Sequence, residues 1–358
     1  MPDPMLFRPL ELRSVTARNR ITVSPMCQYS AVDGVPQDWH LANLAARAVG
    51  GAGIVFTEVA HVEARGRITP WCVGLWNDAQ EAQLARIARF VAGQGAVPAI
   101  QVGHAGRKGS TGKPWEGSKP MTVADGGFEV IGPTDAAWAE GYPVPTAMDA
   151  AAIAAVQAGF ADAARRALRA GFRIFEIHGA HGYLIHEFLS PLVNTRTDAY
   201  GGDAAARSRF LMETIDAVRS EWPADLPLFV RLSCTDWVAG GLTIDDTVDL
   251  CRRIKARGDV DLVDCSSGGA DPRQQIAFYP GYQVPFADAV RNRAGIATGA
   301  VGLIQSPHQA EEVLGNGRAD LVFLGRTLLA DPHWPLKAAR ALGATVQWPN
   351  QYARASAF

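Results

Sequence analysis

The sequence predicts a single (β/α)8 barrel that spans residues 1–358. Three observations favour this fold class. Short apolar runs alternate with helical patterns along nearly the whole chain, which gives eight strand–helix units. The runs are rich in β-branched residues and apolar on both faces, as parallel strands covered by helices should be. No GxGxxG motif opens the first unit, which disfavours the alternative of a doubly wound sheet.

The predicted elements follow in order along the chain. The eight predicted strands are Ile21–Ser24, Ile54–Glu58, Val97–Val102, Ile174–His178, Leu228–Leu232, Leu262–Ser266, Ile296–Thr298 and Leu321–Leu324. The helical pattern is clearest in Asp149–Ala170, which Gly171 is expected to end, and in Ile244–Ala256, which Gly258 follows. The active site of such a barrel lies at the carboxyl ends of its strands.

Two segments fall outside this alternation. Residues 103–147 are rich in Gly, Pro, Lys and Trp and show no clear periodicity. A structureless segment of that length inside a compact domain is usually functional, so we expect a lid over the barrel mouth. The tail, residues 349–358, is expected to lie on a surface or to reach a neighbouring subunit.

Composition argues against several classes of protein. The net charge is −2, from 34 basic and 36 acidic residues without long runs of either sign, which argues against binding to nucleic acid or to an anionic membrane. The five cysteines form no CxxC pair, which disfavours a disulfide framework and a zinc or iron–sulfur site. The sequence shows neither a secretory leader nor an apolar run of membrane-spanning length, so we expect a cytoplasmic protein.

The most informative motif follows the fourth predicted strand. His178, His181 and Tyr183 emerge together where the strand turns into a loop. Two neutral imidazoles and a phenol suit the polarisation of a carbonyl group and the protonation of its carbon skeleton. One alternative is a pair of core histidines. Another is a metal site that includes His186 and Glu187, but the spacing is not that of an HExxH motif, and we expect no metal.

Other candidate residues occur at the ends of predicted strands. After the first strand, Met26 offers a polarisable surface to an aromatic ring and Cys27 offers a thiol, although a buried structural cysteine is the alternative. Arg231 interrupts a buried strand, which indicates an ion pair with a neighbouring strand's acid or a cation beside a ligand that becomes anionic. Gln101 could pair with the donor and acceptor edge of a heterocycle, or be a satisfied core amide.

Glycines and a cation follow the last two predicted strands. Gly302 follows the seventh strand, and Gly325 and Arg326 follow the eighth. Barrels commonly bind phosphate at these two strand ends through main-chain N–H groups and a cation. The pattern therefore predicts a phosphate site.

Four motifs, taken together, resemble the old yellow enzyme family of FMN-dependent ene-reductases. The resemblance is strongest to the thermophilic-like subgroup, which includes xenobiotic reductases, and it runs from about Leu6 to Arg354. The motifs are Pro25-Met26-Cys27-Gln28-Tyr29, His104-Ala105-Gly106-Arg107-Lys108, His178-Gly179-Ala180-His181-Gly182-Tyr183 and Leu324-Gly325-Arg326.

The resemblance implies a bound FMN and a set of residues that contact it. Cys27 would lie near the reactive edge of the flavin and tune its reduction potential, and we favour this role over a redox switch. Arg231 would stabilise the negative charge of the reduced ring. The implied cofactor-binding residues are Ser24, Pro25, Met26, Cys27, Ala60, Gln101, Arg231, Gly302, Gly325 and Arg326.

The resemblance also implies the substrate site. His178 and His181 would hold the carbonyl oxygen of an enone-type substrate, while Tyr29 and Tyr183 would lie over it. Tyr183 would protonate the α-carbon after hydride transfer, and NADPH or NADH would reduce the flavin. Arg354 resembles an arginine that inserts into a neighbouring subunit's site, which implies a homodimer or a larger homo-oligomer.

One segment departs from the family pattern, and two rival functions stay open. Asp203-Ala204-Ala205-Ala206-Arg207 lacks the usual Ser and Asn, which affects the local helix cap rather than the reaction. A dienoyl-thioester reductase on the same barrel would carry an additional cysteine-rich iron–sulfur segment and a further domain. A barrel that binds phosphorylated ligands without flavin, as an enzyme or as an inactive binding protein, is the second rival.

Overall fold

A computed structural model describes residues 4–356. An antiparallel hairpin of β1 (Leu10–Leu12) and β2 (Val15–Ala17) precedes a closed barrel of eight parallel strands. The barrel strands, numbered along the whole chain, are β3 (Ile21–Val23), β4 (Ile54–His61), β5 (Val97–Gly103), β8 (Ile174–Gly179), β9 (Leu228–Ser233), β10 (Leu262–Ser266), β11 (Ala297–Ala300) and β12 (Leu321–Leu324). The barrel closes where β12 pairs with β3, which confirms the predicted (β/α)8 fold.

Helices surround this barrel. They are α1 (Asp38–Val49), α2 (Asp78–Gly93), α3 (Ala150–Arg169), α4 (Leu184–Leu189), α5 (Ala204–Arg219), α6 (Ile244–Arg257), α7 (Val284–Ala289), α8 (Pro307–Gly315), α9 (Arg326–Ala330) and α10 (Trp334–Ala341). The Asp149 side chain caps α3 by accepting the Ala152 N–H at 2.8 Å. Gly258 ends α6 in the left-handed conformation, with φ of +75°. None of the helices described between residues 4 and 356 is long and apolar enough to cross a membrane.

The strands are buried because both of their faces are covered. Every residue of the eight barrel strands is buried except Ala297, which is half-buried. Inside the barrel, the ring of Phe56 lies 6.2 Å from that of Phe229 and 5.8 Å from that of Phe323. These rings come from β4, β9 and β12, so they fill the interior from three sides.

Six strands differ from their predicted bounds, four of them by a single residue at the carboxyl end and two, β4 and β11, by more. The prediction ended β4 at Glu58, but the strand continues to His61, which pairs with Gly103 of β5 and whose buried Nδ1 lies 2.9 Å from the Val73 carbonyl oxygen. Glu58 is buried and lies 3.0 Å from Nε2 of His40. The strand β11 starts one residue later than predicted and continues to Ala300, since a Thr-Gly-Ala run gives no side-chain pattern that marks a strand.

The segment predicted to be a lid contains little regular structure. It holds 3-10 turns at Gly106–Lys108, Pro114–Glu116 and Val123–Asp125, and a short parallel pair of β6 (Ile131–Gly132) and β7 (Thr146–Ala147). Its side chains bind the loops that follow β8 and β10, so it covers the carboxyl-end face of the barrel.

Candidate active site

His178 lies near the carboxyl end of β8, and His181 lies in the loop that follows. Side chains hold this loop by accepting hydrogen bonds from three consecutive main-chain N–H groups. The pairs are Ala180 to His178 Nδ1 (3.2 Å), His181 to Ser233 Oγ (2.9 Å) and Gly182 to His186 Nδ1 (2.8 Å). His181 has φ of +62°, a left-handed conformation that is uncommon for a residue with a Cβ. The surrounding structure therefore fixes this loop, as is typical of strained residues at functional sites.

The two imidazoles face each other. Nδ1 of His181 lies 3.3 Å from Nε2 of His178, and Nε2 of His181 lies 2.7 Å from Ser266 Oγ. Because Nδ1 of His178 accepts the Ala180 N–H, the proton of its neutral ring lies on Nε2. Burial, and then the positive charge of Arg231, hold the pKa of both imidazoles well below the usual range. Both rings are therefore neutral at pH 7.

The predicted phenols and the predicted cysteine lie beside this pair. The Tyr183 ring centroid is 5.1 Å from that of His178 and 6.5 Å from that of His181. Burial raises the pKa of Tyr183, so the phenol keeps its proton. Burial also raises the pKa of Cys27, which therefore stays a thiol. Tyr29, Cys27 and Tyr183 pack against one small apolar cluster, formed by Val59, Ile68, Cys72 and Ala105.

Arg231 belongs to a buried network of charged and polar side chains. Its Nε lies 2.9 Å from Asp264 Oδ2, and its Nη2 donates to Ser24 Oγ at 3.5 Å. Gln101 joins the same network by donating to Glu176 Oε1 at 2.8 Å. Burial raises the pKa of both Glu176 and Asp264. The ion pair with a neighbouring strand, one of the two predicted roles of Arg231, is therefore present, and its guanidinium also faces the loop after β3.

The residues predicted for a phosphate site lie together. Gly302 follows β11 with φ of +118°, and a Cβ there would lie 3.1 Å from the Gln283 side chain. Gly325 follows the adjacent strand β12, and a Cβ there would face Met26 Sδ at 3.5 Å. Arg326 is exposed at the start of α9. Main-chain N–H groups and a guanidinium suit a phosphate, and the buried Arg231 suits a ring that becomes anionic, so the donor set fits FMN.

Two predicted site residues lie at the edge of this arrangement or away from it. Ala60 is buried near the carboxyl end of β4, where it pairs with Val102, the neighbour of Gln101. Arg354 lies in an exposed 3-10 turn that packs on α10, where Arg340 donates to the Ser356 carbonyl at 2.9 Å. Within residues 4–356, no contact brings this turn to the histidine pair.

His186 and Glu187, the residues of the alternative metal site, make other contacts in the structure. His186 Nε2 lies 2.9 Å from Asp236 Oδ1, and Glu187 Oε1 accepts the Arg107 N–H at 2.9 Å. Among residues 4–356, no group of three His, Cys, Asp or Glu side chains is placed to hold a metal ion. His186 therefore supports the loop, through the Gly182 N–H described above.

Sequence reasoning missed the residues that support the site. Ser233 and Ser266 end β9 and β10, so a search for polar residues at barrel strand ends would have found them. Glu176 and Asp264 interrupt apolar strands in the same way as Arg231, and that signal was available. Asp236 lies in a loop, and nothing in the local sequence marks it as a partner of His186.

Comparison with known proteins agrees with this geometry. Residues 5–344 match the NADH:flavin oxidoreductase / NADH oxidase family. The chain is 49% identical over 354 residues to an NADPH dehydrogenase of Geobacillus sp. (strain WCH70), with 98% of each chain covered. It is 45% identical over 352 residues to an NADPH dehydrogenase of Listeria monocytogenes serotype 4b (strain F2365), again with 98% of each covered.

Solved structures show the same fold. Morphinone reductase superposes with a TM-score of 0.80 at 25% identity, over 97% of this chain and 92% of that one. The complex of 2-naphthoyl-CoA reductase with 2-naphthoyl-CoA superposes with a TM-score of 0.85 at 26% identity. In that case 94% of this chain matches only 52% of the other, so the chain spans about half of that protein's length.

The barrel and its buried cation fit a flavin-dependent oxidoreductase. The chain belongs to the NADH:flavin oxidoreductase / NADH oxidase family, the family of old yellow enzyme. It is an enzyme that uses FMN as cofactor and NADPH or NADH as hydride donor.

Proposed function

We propose that the protein is an ene-reductase that reduces the C=C bond of α,β-unsaturated carbonyl compounds. The observation that carries this proposal is the pair of neutral imidazoles, His178 and His181, beside the protonated phenol of Tyr183. Hydrogen bonds to a carbonyl oxygen draw electron density from the β-carbon, which makes that carbon a hydride acceptor. A nearby phenol suits protonation of the α-carbon.

His178 and His181 bind the substrate oxygen in this proposal. His178 donates from Nε2, where its proton already lies. His181 donates from Nδ1, and its Nε2 then accepts the hydroxyl proton of Ser266, which lies 2.7 Å away. Each such donor is typically worth a factor of about 10²–10³ in rate. Tyr29 flanks the substrate, and Tyr183 gives its proton to the α-carbon.

The remaining predicted residues hold the cofactor. FMN, when bound, supplies the hydride that reaches the β-carbon. Arg231 stabilises the negative charge of the reduced ring, and the thiol of Cys27 tunes the reduction potential. The other residues that we assign to FMN binding are Ser24, Pro25, Met26, Ala60, Gln101, Gly302, Gly325 and Arg326.

We also infer that the active enzyme is at least a homodimer. Arg354 lies in an exposed turn away from the histidine pair of its own chain, which leaves it accessible to a neighbouring copy. Arg354→Ala should then raise the KM for an enone without loss of FMN. A fully active, strictly monomeric enzyme in analytical ultracentrifugation would contradict this role.

The proposed reaction is tested by following its two half-reactions separately. Purified enzyme is mixed anaerobically with NADPH and then with cyclohexenone while flavin absorbance is recorded. Bleaching by NADPH followed by recovery with cyclohexenone supports the proposal. Reoxidation by an enoyl thioester but not by cyclohexenone would favour a thioester reductase instead, and reoxidation by oxygen alone would rule out both acceptors.

A further inference from the structure

Lys108, in the lid segment, binds two loops of the active site at once. Its Nζ donates to the His181 carbonyl at 2.8 Å and to the Gly269 carbonyl at 3.0 Å. The first carbonyl belongs to the loop after β8, and the second to the loop after β10. Burial lowers the pKa of Lys108 to about 8, so the amine is still mainly an ammonium at neutral pH.

The two loops are in direct main-chain contact at this place. A Cβ on Gly269 would collide with the main chain of His181, and a Cβ on Gly182 would collide with the Gly269 carbonyl. Gly269 has φ of +95° and His181 has φ of +62°. The carbonyl oxygens of His181 and Gly269 carry like partial charges, so a cation that binds both of them stabilises this close packing.

The rings around the ammonium restrict its position further. Nζ lies 5.0 Å from the Trp138 ring centroid and 5.4 Å from that of Tyr183. Both distances fall in the range in which a cation is attracted to an aromatic face. Trp138 also donates from Nε1 to the Gly269 carbonyl at 3.3 Å. The lid segment thus binds the Gly269 carbonyl twice, but in these contacts only Lys108 binds the His181 carbonyl.

We propose that Lys108 is a positioning residue that acts through His181. Its ammonium holds the strained main chain of His181, and this keeps the His181 ring turned toward Nε2 of His178 so that both rings can bind one oxygen atom. The inference rests on the proposed function, since it assigns a support to the same oxygen-binding pair. It gives a role to the last residue of the His104–Lys108 motif, which has none in the reaction described above.

The test is binding of 4-hydroxybenzaldehyde to the oxidised holoenzyme, followed by flavin absorbance. Lys108→Met should raise the dissociation constant about 10- to 100-fold, because a small misplacement of a binding group has effects of this size. Lys108→Arg should recover part of the affinity. Trp138→Phe is the control, since it removes the second donor to Gly269 but keeps an aromatic ring beside the ammonium, and its affinity should stay within about twofold of the parent, as for a rim contact.

A double-mutant cycle separates action through His181 from a direct effect of the charge on the ligand. If Lys108 acts through His181, Lys108→Met should have little further effect in a His181→Ala background. An equal loss of affinity in both backgrounds overturns the inference, as does an unchanged affinity in the single variant. An unchanged flavin spectrum and melting temperature show that the variant is folded and loaded.

The binding test also separates this inference from the proposed function. If the parent enzyme binds the phenol but is not reoxidised by an enone, enone reduction fails while the role of Lys108 is still decided by the cycle. If the parent enzyme does not bind the phenol, the oxygen-binding role of the histidine pair fails, and the role of Lys108 fails with it.

Discussion

The carboxyl ends of β8–β10 and those of β11–β12 form two halves of one site, and they are built differently. In the first half, side chains hold the main chain. Ser233, His186 and Lys108 each bind a main-chain atom of the loop that carries His181. In the second half, the glycines Gly302 and Gly325 leave the main chain open, and Arg326 is exposed. The first half thus orients particular side chains, while the second offers a surface to an anion.

This difference predicts which half tolerates substitution. A loop fixed by many side chains loses function when one polar group is removed, because its partners are then left unpaired in the interior. A glycine cradle depends on backbone conformation and on free space, so only a change that adds a Cβ at a left-handed position should disturb it.

The largest effect is expected in the buried charge network of the first half. Arg231→Met leaves Asp264 and Glu176 without their cation, so the free energy of unfolding should fall by about 3–5 kcal/mol. Denaturant unfolding of the apoprotein measures this. Arg231→Met combined with Asp264→Asn should recover part of the loss, and an unchanged stability of the single variant would show that the network is not energetically coupled.

The next effect concerns ligand binding in the first half. His178→Ala combined with His181→Ala removes both donors to the substrate oxygen, so affinity for 4-hydroxybenzaldehyde should fall about 100-fold or more. FMN content should not change, because neither ring is assigned to the cofactor. Absorbance titration gives both values, and retained affinity would remove the pair from the substrate site.

A smaller effect distinguishes two glycines of the second half. Gly302→Ala forces a Cβ into a left-handed position beside Gln283, which should cost about 1–3 kcal/mol of stability and weaken FMN binding. Gly325→Ala is the matched control, since Gly325 has φ of −96° and the nearest side-chain atom would lie 3.5 Å away. Thermal unfolding with and without FMN compares them. Equal losses in both variants would contradict the role of backbone conformation.

The smallest effect is expected at Cys27, which lies in the loop after β3. Its thiol is neutral, so Cys27→Ala removes a weak polar contact rather than a charge. The midpoint potential of the bound flavin should shift by about 30 mV, which equals about 1.4 kcal/mol for a two-electron couple. Potentiometric titration against a dye measures the shift. An unmoved potential would contradict this tuning role of Cys27.

The sequence was sufficient to predict the barrel and to place the candidate site residues at strand ends. Apolar runs predicted all eight barrel strands, and the position of His178, His181 and Tyr183 at a strand end was read correctly. Residues that act from a distance were not predictable in the same way. Asp236 supports His186 across 50 positions of the sequence, as their numbers show, and only the folded chain brings the two side chains together.

The geometry of the site follows from the fold, whereas the roles of its residues depend on a bound cofactor. That Arg231, Gln101 and Ser24 lie in one region follows from the closure of the barrel. Which of them touches the flavin depends on a bound cofactor, so those assignments stay predictions. Arg354 is the extreme case, because its role requires a second copy of the chain.

The phenylalanines inside the barrel have a consequence for the order of events. Phe56, Phe229 and Phe323 fill the interior below the polar residues, so reactants can approach only from the face that the lid segment covers. The hydride donor and the hydride acceptor must therefore enter the active site through the same opening, one after the other. Each reactant at high concentration should inhibit binding of the other. The binding and release of reactants, rather than hydride transfer, can then limit turnover.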